Sequence, residues 1–262
     1  MNVLIDSVEI LVDPLPEVIE QSTVASGMGI LYRYHPDSTQ RLAEGFPRFA
    51  HTTPDGRLVL ARAMNHLIVG YALIARPDPR ERWGDPSAPE VWELGMIEVA
   101  RGWRGRGVGR QLIRACFADG SHDDRIVLAT AYSWHWDLEG TQLSKSEYRA
   151  VLLRLFGSEG FRQFATNEPN IQEDPANRLL VRIGPRVTAE ARASFLNLLQ
   201  TDPVRATAVA KSLPASWKTL FDSLAKPLQL WSPTWWLAAW SDAIVSRSSR
   251  PSSNGCGQAC DC

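Results

Sequence analysis

The chain has 262 residues and a formal net charge of −1, with a pI of about 6.5. This charge balance gives no electrostatic basis for binding nucleic acid or an anionic membrane. The sequence contains no apolar run of about 18 residues, the length that a membrane-spanning helix needs. The chain is long enough for one domain of about 200 residues and an extension.

The cysteines favour a reducing compartment. Three of the four, Cys256, Cys260 and Cys262, crowd the last seven residues and cannot build a disulfide framework. A structural zinc ion takes four ligands, and no histidine lies near these thiols, so we expect a free tail and no metal. The N-terminus lacks the basic and apolar regions of a signal peptide. We therefore expect a cytoplasmic protein.

The first 75 residues predict a strand, helical pieces and a β-hairpin. Residues 2–12 alternate loosely between apolar and polar positions and predict a strand that Pro14 ends. Residues 17–34 are ambiguous, and we interpret them as helical pieces broken at glycines. Residues 57–75 predict a β-hairpin, because two apolar runs meet at Asn65-His66 and asparagine tolerates the positive φ of a tight turn.

Residues 91–117 predict a strand, a turn and a helix. The strand is the apolar run 91–99, which is rich in branched and aromatic residues. The helix shows an apolar stripe at helical spacing, formed by Val108, Leu112, Ile113, Cys116 and Phe117. Arginines and glycines fill the turn between them.

The remaining elements complete an α/β pattern. We expect strands at 125–132, 161–165 and 179–183, and helices at 143–156 and 188–199, the second capped by Thr188. The order predicts a mixed sheet flanked by helices. We expect a domain over residues 1–205, a Trp-rich extension over 206–248 that packs on the domain or docks a partner, and a disordered tail over 249–262.

The turn predicts an anion site. Three glycines in five residues, Gly105, Gly107 and Gly109, open backbone conformations closed to other residues, so successive N–H groups can surround a phosphate at the start of a helix. A Walker loop is excluded because no Gly-Lys-Ser/Thr occurs here, and the glycine spacing does not fit a dinucleotide loop. A solvated basic turn, or a loop that contacts nucleic-acid phosphates, is the alternative.

The pattern Arg-x-x-Gly-x-Gly after a strand resembles the acyl-CoA pyrophosphate loop of the GCN5-related N-acetyltransferases. The resemblance implies a mixed, mostly antiparallel sheet and acetyl-CoA as the acetyl donor. It implies that backbone groups of Ile97 and Val99 hold the acetyl carbonyl and pantetheine. The loop residues that would bind the donor are Arg104, Gly105, Arg106, Gly107, Val108, Gly109 and Arg110.

Five further blocks in the expected order resemble the acetoin utilisation acetyltransferases. They are Pro77-Asp78-Pro79 with Glu81-Arg82-Trp83, Glu93-Leu94-Gly95 with Ile97 to Ala100, Trp134-His135-Trp136-Asp137-Leu138 with Gly140, Phe164-Ala165-Thr166 with Glu168-Pro169, and Pro175-Ala176-Asn177 with Arg182-Ile183-Gly184. The resemblance implies a bacterial cytoplasmic enzyme that acetylates the active-site lysine of AMP-forming acetyl-CoA synthetase and inactivates it. The resemblance does not extend to the region beyond about residue 210.

Acetyl transfer to lysine needs a base, since a free lysine has a pKa near ~10.4. A buried carboxylate on the strand before the loop can accept the proton. Strand alternation puts Glu93 on one face and Glu98 on the other, unless a bulge intervenes. We prefer Glu93, which lies eleven residues before Arg104 as the base does in histone acetyltransferases of the superfamily, with Glu98 second.

The leaving thiolate needs a proton donor. In the superfamily it is often a tyrosine four residues before a Gly-Phe pair, and here that position is Phe156, before Gly160-Phe161. A phenyl ring cannot donate a proton, so Tyr132, Tyr148 or water would substitute. His135 lies between two tryptophans, and we interpret this block as a wall on the acceptor side of the cleft.

Three hypotheses result. The first is a protein lysine acetyltransferase whose partner is acetyl-CoA synthetase. The second is an acetyltransferase of small-molecule amines, and the third is a CoA-binding partner that inhibits by docking. We expect no nucleic-acid or membrane partner.

Overall fold

We analysed a computed structural model that describes residues 8–29, 37–79 and 81–200. Eight strands and seven helices occur in these residues. The strands are β1 (Val8–Val12), β2 (Thr23–Val24), β3 (Arg57–Ala63), β4 (Leu67–Ala75), β5 (Val91–Val99), β6 (Ile126–Ala131), β7 (Arg162–Phe164) and β8 (Arg178–Ile183). The helices are α1 (Pro16–Glu20), α2 (Ser38–Thr52), α3 (Val108–Ala115), α4 (Leu138–Thr141), α5 (Lys145–Gly157), α6 (Pro169–Gln172) and α7 (Ala189–Leu198).

The strands form one mixed sheet. Its order is β1-β3-β4-β5-β6-β8-β7, and the short β2 pairs with β4. The neighbours β5 and β6 are parallel, as are β2 and β4, while the other pairs are antiparallel. The α/β fold with a mostly antiparallel central sheet is therefore confirmed.

The two central strands separate soon after they meet. β5 and β6 pair only through residues 91–93 and 126–128. Beyond these residues β5 continues for six residues and β6 for three without pairing to each other. A gap therefore opens in the middle of the sheet, between the carboxyl ends of two parallel strands.

Helices cover both faces of the sheet. On one face, Leu112 of α3 packs so closely over Gly70 that a Cβ at position 70 would lie 3.0 Å from its methyl carbon. On the opposite face, Phe46 of α2 contacts Tyr71 with ring centroids 5.0 Å apart. Phe195 of α7 packs in a second cluster formed with strand residues of β5, β6 and β8. Helices thus pack on both faces of the sheet beside the gap between β5 and β6.

A β-bulge puts Glu93 and Glu98 on one face of the sheet, so the prediction that they lie on opposite faces is wrong. Leu73 and Ile74 of β4 are consecutive, yet they pair with Met96 and Leu94, which leaves Gly95 as an extra residue in β5. An extra residue reverses the alternation of side chains beyond it. Glu93 and Glu98 therefore lie on the same face, whereas simple alternation placed them on opposite faces.

Two other details differ from the prediction. Helix α2 was not predicted, because Gly45 and Pro47 interrupt its pattern, yet Leu42, Phe46 and Phe49 are buried on one side of it. In the hairpin turn the residue with a positive φ, of 59°, is His66, whereas the prediction relied on Asn65. Residues 2–7 of the predicted first strand lie outside the described part of the chain.

In the described residues no helix is long and apolar enough to cross a membrane. The predicted extension over 206–248, the tail over 249–262 and the three cysteines of the tail lie outside the described residues. Their assignment stays a prediction.

The contact between α3 and the sheet gives a stability prediction. Leu112 is fully buried, and replacing such a leucine by alanine costs about 2–5 kcal/mol. We expect Leu112→Ala to lower the free energy of unfolding in urea by this amount. Gln111→Ala, at the exposed neighbouring position, is the control and should change stability by no more than about 0.5 kcal/mol. Equal midpoints for both variants would contradict the described packing.

Candidate active site

A cavity of about 670 Å³ occupies the gap between β5 and β6. Residues 94–99 of β5 form one wall, and residues 129–132 form the other. The glycine-rich turn closes one end, and side chains of α5 and of the aromatic block around Trp136 close the remaining sides. Such a concave space with few convergent polar groups is typical of a substrate site.

The backbone of β5 offers hydrogen bonds to this cavity. The Ala100 N–H donates to the Val69 carbonyl across the β4–β5 ladder, at 2.8 Å. Because antiparallel residues alternate in the direction of their backbone groups, those of Ile97 and Val99 point away from β4 and toward the gap. The Val99 carbonyl already accepts the Arg104 Nε–H at 2.9 Å. The N–H and C=O of Ile97 therefore have the orientation expected for gripping a bound strand-like ligand.

The glycine-rich turn forms an open concavity at the start of α3. Gly105 and Gly107 have φ values of 77° and 82°, which residues with a Cβ atom rarely adopt. A Cβ at either position would meet no atom within 4 Å. The Gly107 carbonyl accepts the N–H groups of Arg110 and Gln111 and so begins the helix. The earlier amides of the first helical turn have no acceptor within the helix and can bind an anion.

An aspartate outside the predicted set fixes the arginines beside this turn. Asp137 accepts two hydrogen bonds from Arg101, at 2.8 and 2.7 Å, and one from Arg104 at 2.6 Å. It also accepts the Gly140 N–H at 3.0 Å, and these contacts hold the pKa of its carboxyl well below the usual range. A Cβ at Gly140 would lie 2.3 Å from the carboxylate. The Asp137 carboxylate thus ties the turn after β5 to the loop after β6.

Glu93 is buried next to the cavity. Its side chain accepts a hydrogen bond from the Thr130 hydroxyl at 3.2 Å. Burial raises the pKa of Glu93 to about 7, Thr130 opposes this shift and the charge of Asp78 adds to it. Thr130, but not Glu93, lines the cavity. The carboxylate therefore lies behind the Thr130 hydroxyl.

Glu98 lines the same cavity from β5. It accepts the Gly29 N–H at 2.9 Å. Burial raises its pKa, while hydrogen bonds from Gly29 and Tyr71 and the charge of Arg104 oppose the shift. Its carboxylate therefore anchors the segment before α2 as well as facing the cavity.

Aromatic side chains form the wall beyond β6. Tyr132 lines the cavity and stacks on Trp134, with ring centroids 4.4 Å apart. Burial raises the pKa of Tyr132 well above its usual value, with smaller contributions from nearby carboxylates. On α5, Tyr148 stacks on Trp136 at 5.2 Å and also lines the cavity. His135 lies edge-on to Tyr132 at 5.8 Å, within this aromatic wall.

The structure brings the predicted residues together around one cavity. The backbone positions of β5, Tyr132, Glu98 and the residues of the glycine-rich turn other than Arg106 border it. Arg106 lies over the Trp103 ring, 5.2 Å from its centroid, and Glu93 is separated from the cavity by the Thr130 hydroxyl. Sequence reasoning missed Thr130 and Asp137. The two-residue spacing of Thr130 and Tyr132 on a predicted strand was the available signal for the first. Over residues 8–29, 37–79 and 81–200, no group of three or more metal-ligating side chains occurs.

The sheet divides between two parallel strands, and a turn with the geometry to bind an anion lies at the mouth of the division. Together with the family match that follows, these features place the protein in the class of acetyl-CoA-dependent N-acetyltransferases. The model of the acetyltransferase (GNAT) family matches residues 27–135. Two relatives and a solved structure extend the similarity to most of the described chain.

The acetoin utilization protein AcuA of Bacillus subtilis is 39% identical over 171 residues, which cover 63% of this chain and 80% of that protein. Its counterpart from Bacillus licheniformis is 39% identical over 142 residues, covering 54% of this chain and 67% of that protein. The crystal structure of the acetoin utilization protein from Exiguobacterium sibiricum aligns with a TM-score of 0.69 at 31% identity, covering 76% of this chain and 92% of that one. The chain belongs to the acetoin utilization protein family of GNAT acetyltransferases.

The open glycine turn gives a binding prediction. Gly107→Glu should weaken acetyl-CoA binding by at least about 100-fold, because like charges a few ångströms apart repel by several kcal/mol at an effective dielectric constant of about 20. Isothermal calorimetry would measure this loss. Gly107→Ala shares the backbone strain at a φ of 82° but adds no charge, so it should bind much better than the glutamate variant. Unchanged affinity of a folded Gly107→Glu protein would refute the placement of the anion.

Proposed function

We propose that the protein transfers the acetyl group of acetyl-CoA to the active-site lysine of AMP-forming acetyl-CoA synthetase and thereby inactivates it. The cavity between β5 and β6 carries this proposal. It lies between a turn suited to an anion and an aromatic wall, with the buried carboxyl group of Glu93 behind the Thr130 hydroxyl. Membership in the acetoin utilization family and the family blocks in the sequence support the choice of acceptor.

The donor would lie along β5. Its pyrophosphate would accept hydrogen bonds from the turn formed by Arg104, Gly105, Arg106, Gly107, Val108, Gly109 and Arg110. Its pantetheine would pair with the backbone of Ile97 and Val99 as an added strand. A backbone N–H aimed at the thioester oxygen stabilises the developing oxyanion, a contribution of roughly 2.7–4 kcal/mol in comparable sites.

Glu93 fits the role of general base. A base works best when its pKa lies near the working pH, and burial brings the pKa of Glu93 to about 7. Glu98 is the second candidate, but the Gly29 N–H occupies one of its oxygens at 2.9 Å. In this proposal Glu93 accepts the proton of the attacking amine and Glu98 positions the segment before α2.

Tyr132 is the candidate acid beside the leaving thiolate, because its side chain borders the cavity. Its raised pKa keeps the phenol protonated and suits donation of a hydrogen bond to the thiolate more than full proton transfer. Phe156, at the position where the superfamily often has a tyrosine, also lines the cavity but has no proton to give. A CoA thiol has a pKa of about 8.5, so modest assistance is sufficient.

The pH dependence of catalysis tests the base. The carboxylate form of Glu93 is the active one, so kcat/KM should rise with pH and level off above about 7. Glu93→Gln should lower kcat by about 100- to 10,000-fold, the usual contribution of a general base. Glu139→Gln removes an exposed carboxylate on α4 and is the control. If Glu98→Gln loses the ascending limb while Glu93→Gln keeps it, Glu98 is the base.

The acceptor is tested by mapping acetylation. Incubation of the protein with acetyl-CoA and acetyl-CoA synthetase should modify one active-site lysine, seen by mass spectrometry, with a matching loss of synthetase activity. The Glu93→Gln variant controls for non-enzymatic acetylation. Faster turnover of a free polyamine would favour the small-molecule alternative. Inhibition that persists without any modification would favour docking.

A further inference from the structure

Two hydroxyl groups, of Thr130 and Tyr132, and the carboxyl group of Glu93 share one face of the divided sheet. Glu93 pairs with Leu128 across the β5–β6 ladder. Side chains two residues apart on a strand point to the same face, so Thr130 and Tyr132 follow Leu128 on the side where Glu93 lies. The pairing register therefore aligns these three polar groups across the point where the strands separate.

A hydrogen bond joins two of these groups. Thr130 Oγ1 donates to Glu93 Oε1 at 3.2 Å. A threonine hydroxyl has one proton and two acceptor sites, so it can accept a proton from a group in the cavity while it donates to Glu93. Thr130 and Tyr132 border the cavity, whereas Glu93 does not. A proton from the cavity thus reaches Glu93 most directly through Thr130.

We propose that Thr130 is a catalytic residue that relays the proton of the attacking amine to the base Glu93. This inference rests on the role proposed above for Glu93. The neutral amine attacks the thioester carbon, and its nitrogen loses a proton to Thr130 Oγ1 while the original hydroxyl proton moves to Glu93.

The cycle then closes through water in the cavity. The carbon–sulfur bond breaks, and the thiolate leaves while the Tyr132 hydroxyl donates a hydrogen bond to it. The proton held on Glu93 returns through Thr130 to water, which carries a proton to the CoA sulfur. One proton has moved from the amine nitrogen to the CoA sulfur, one N–C bond has replaced one S–C bond, and Glu93 and Thr130 are back in their initial protonation states.

Matched substitutions at position 130 test the relay. Thr130→Val keeps the shape of the side chain without its hydroxyl, and Thr130→Ser keeps the hydroxyl. We expect Thr130→Val to lower kcat by about 100-fold, the lower end of the usual contribution of proton-transfer catalysis. The KM for acetyl-CoA should stay within about twofold. Thr130→Ser should recover most of the rate. A purely structural role would not separate the valine and serine variants in kcat alone.

A second measurement does not depend on the acceptor. Carboxyl ¹³C NMR can follow the titration of Glu93 in the full chain. Loss of the Thr130 hydrogen bond, which stabilises the carboxylate, should raise the pKa of Glu93 in Thr130→Val but not in Thr130→Ser. The other charged groups around this pair are Asp78, Glu81 and Glu168 with its partner Arg82, and neither substitution alters them.

The outcomes separate the relay from the proposed function. Wild-type kcat in Thr130→Val, or an unmoved Glu93 pKa, overturns the relay. If Glu93→Gln is inactive while Thr130→Val is fully active, only the relay fails. If Glu93→Gln is fully active, the proposed base fails and the relay with it. Should the wild-type protein leave acetyl-CoA synthetase unmodified, the Glu93 titration still decides whether Thr130 is coupled to the carboxylate.

Discussion

The separation of β5 from β6 is the constraint on which the site depends. Two parallel strands that stayed paired would bond each other's backbone groups and leave no room for a ligand. Here the pairing ends after residues 93 and 128, and the extra residue at Gly95 lies just beyond that point on β5. A bulge bends its strand and increases the local twist. The same local irregularity therefore accompanies the gap and puts Glu98 on the face that carries Glu93.

Charge is distributed unevenly along this gap, although the whole chain is close to neutral. Arg101, Arg104 and Arg110 surround the mouth at the glycine turn. Near Tyr132 the charged groups include Glu81, Glu93 and Glu168. This polarity suits an anionic donor at one end and a cationic amine at the other. The Asp137 carboxylate, bonded to two of the arginines, limits the positive charge at the mouth and joins the loops that follow the two separated strands.

The sequence predicts elements whose pattern lies within one short segment. It does not predict features that depend on pairing between strands far apart in the chain. The bounds of β5 follow from its apolar run, and the turn from its glycines and arginines. The faces of Glu93 and Glu98 depend on the register with β4, which a single strand does not encode. Asp137 could not be assigned because its three partners come together only in the folded chain. Helix α2 was missed since Gly45 and Pro47 oppose helix formation, while burial of Phe46 and Phe49 stabilises it.

The burial of Glu93 has an energetic consequence that favours a chemical role over a structural one. Its pKa rises from 4.5 to about 7 on folding, which corresponds to about 3 kcal/mol at about 1.4 kcal/mol per unit. Because the folded value lies above the unfolded one, the folded state is progressively destabilised as the pH rises from 4.5 to about 7, and the full cost applies above that range. A glutamine or an apolar residue would avoid this cost. A carboxylate placed where it opposes stability at neutral pH, and titrating close to that pH, has the property that proton transfer from an amine requires.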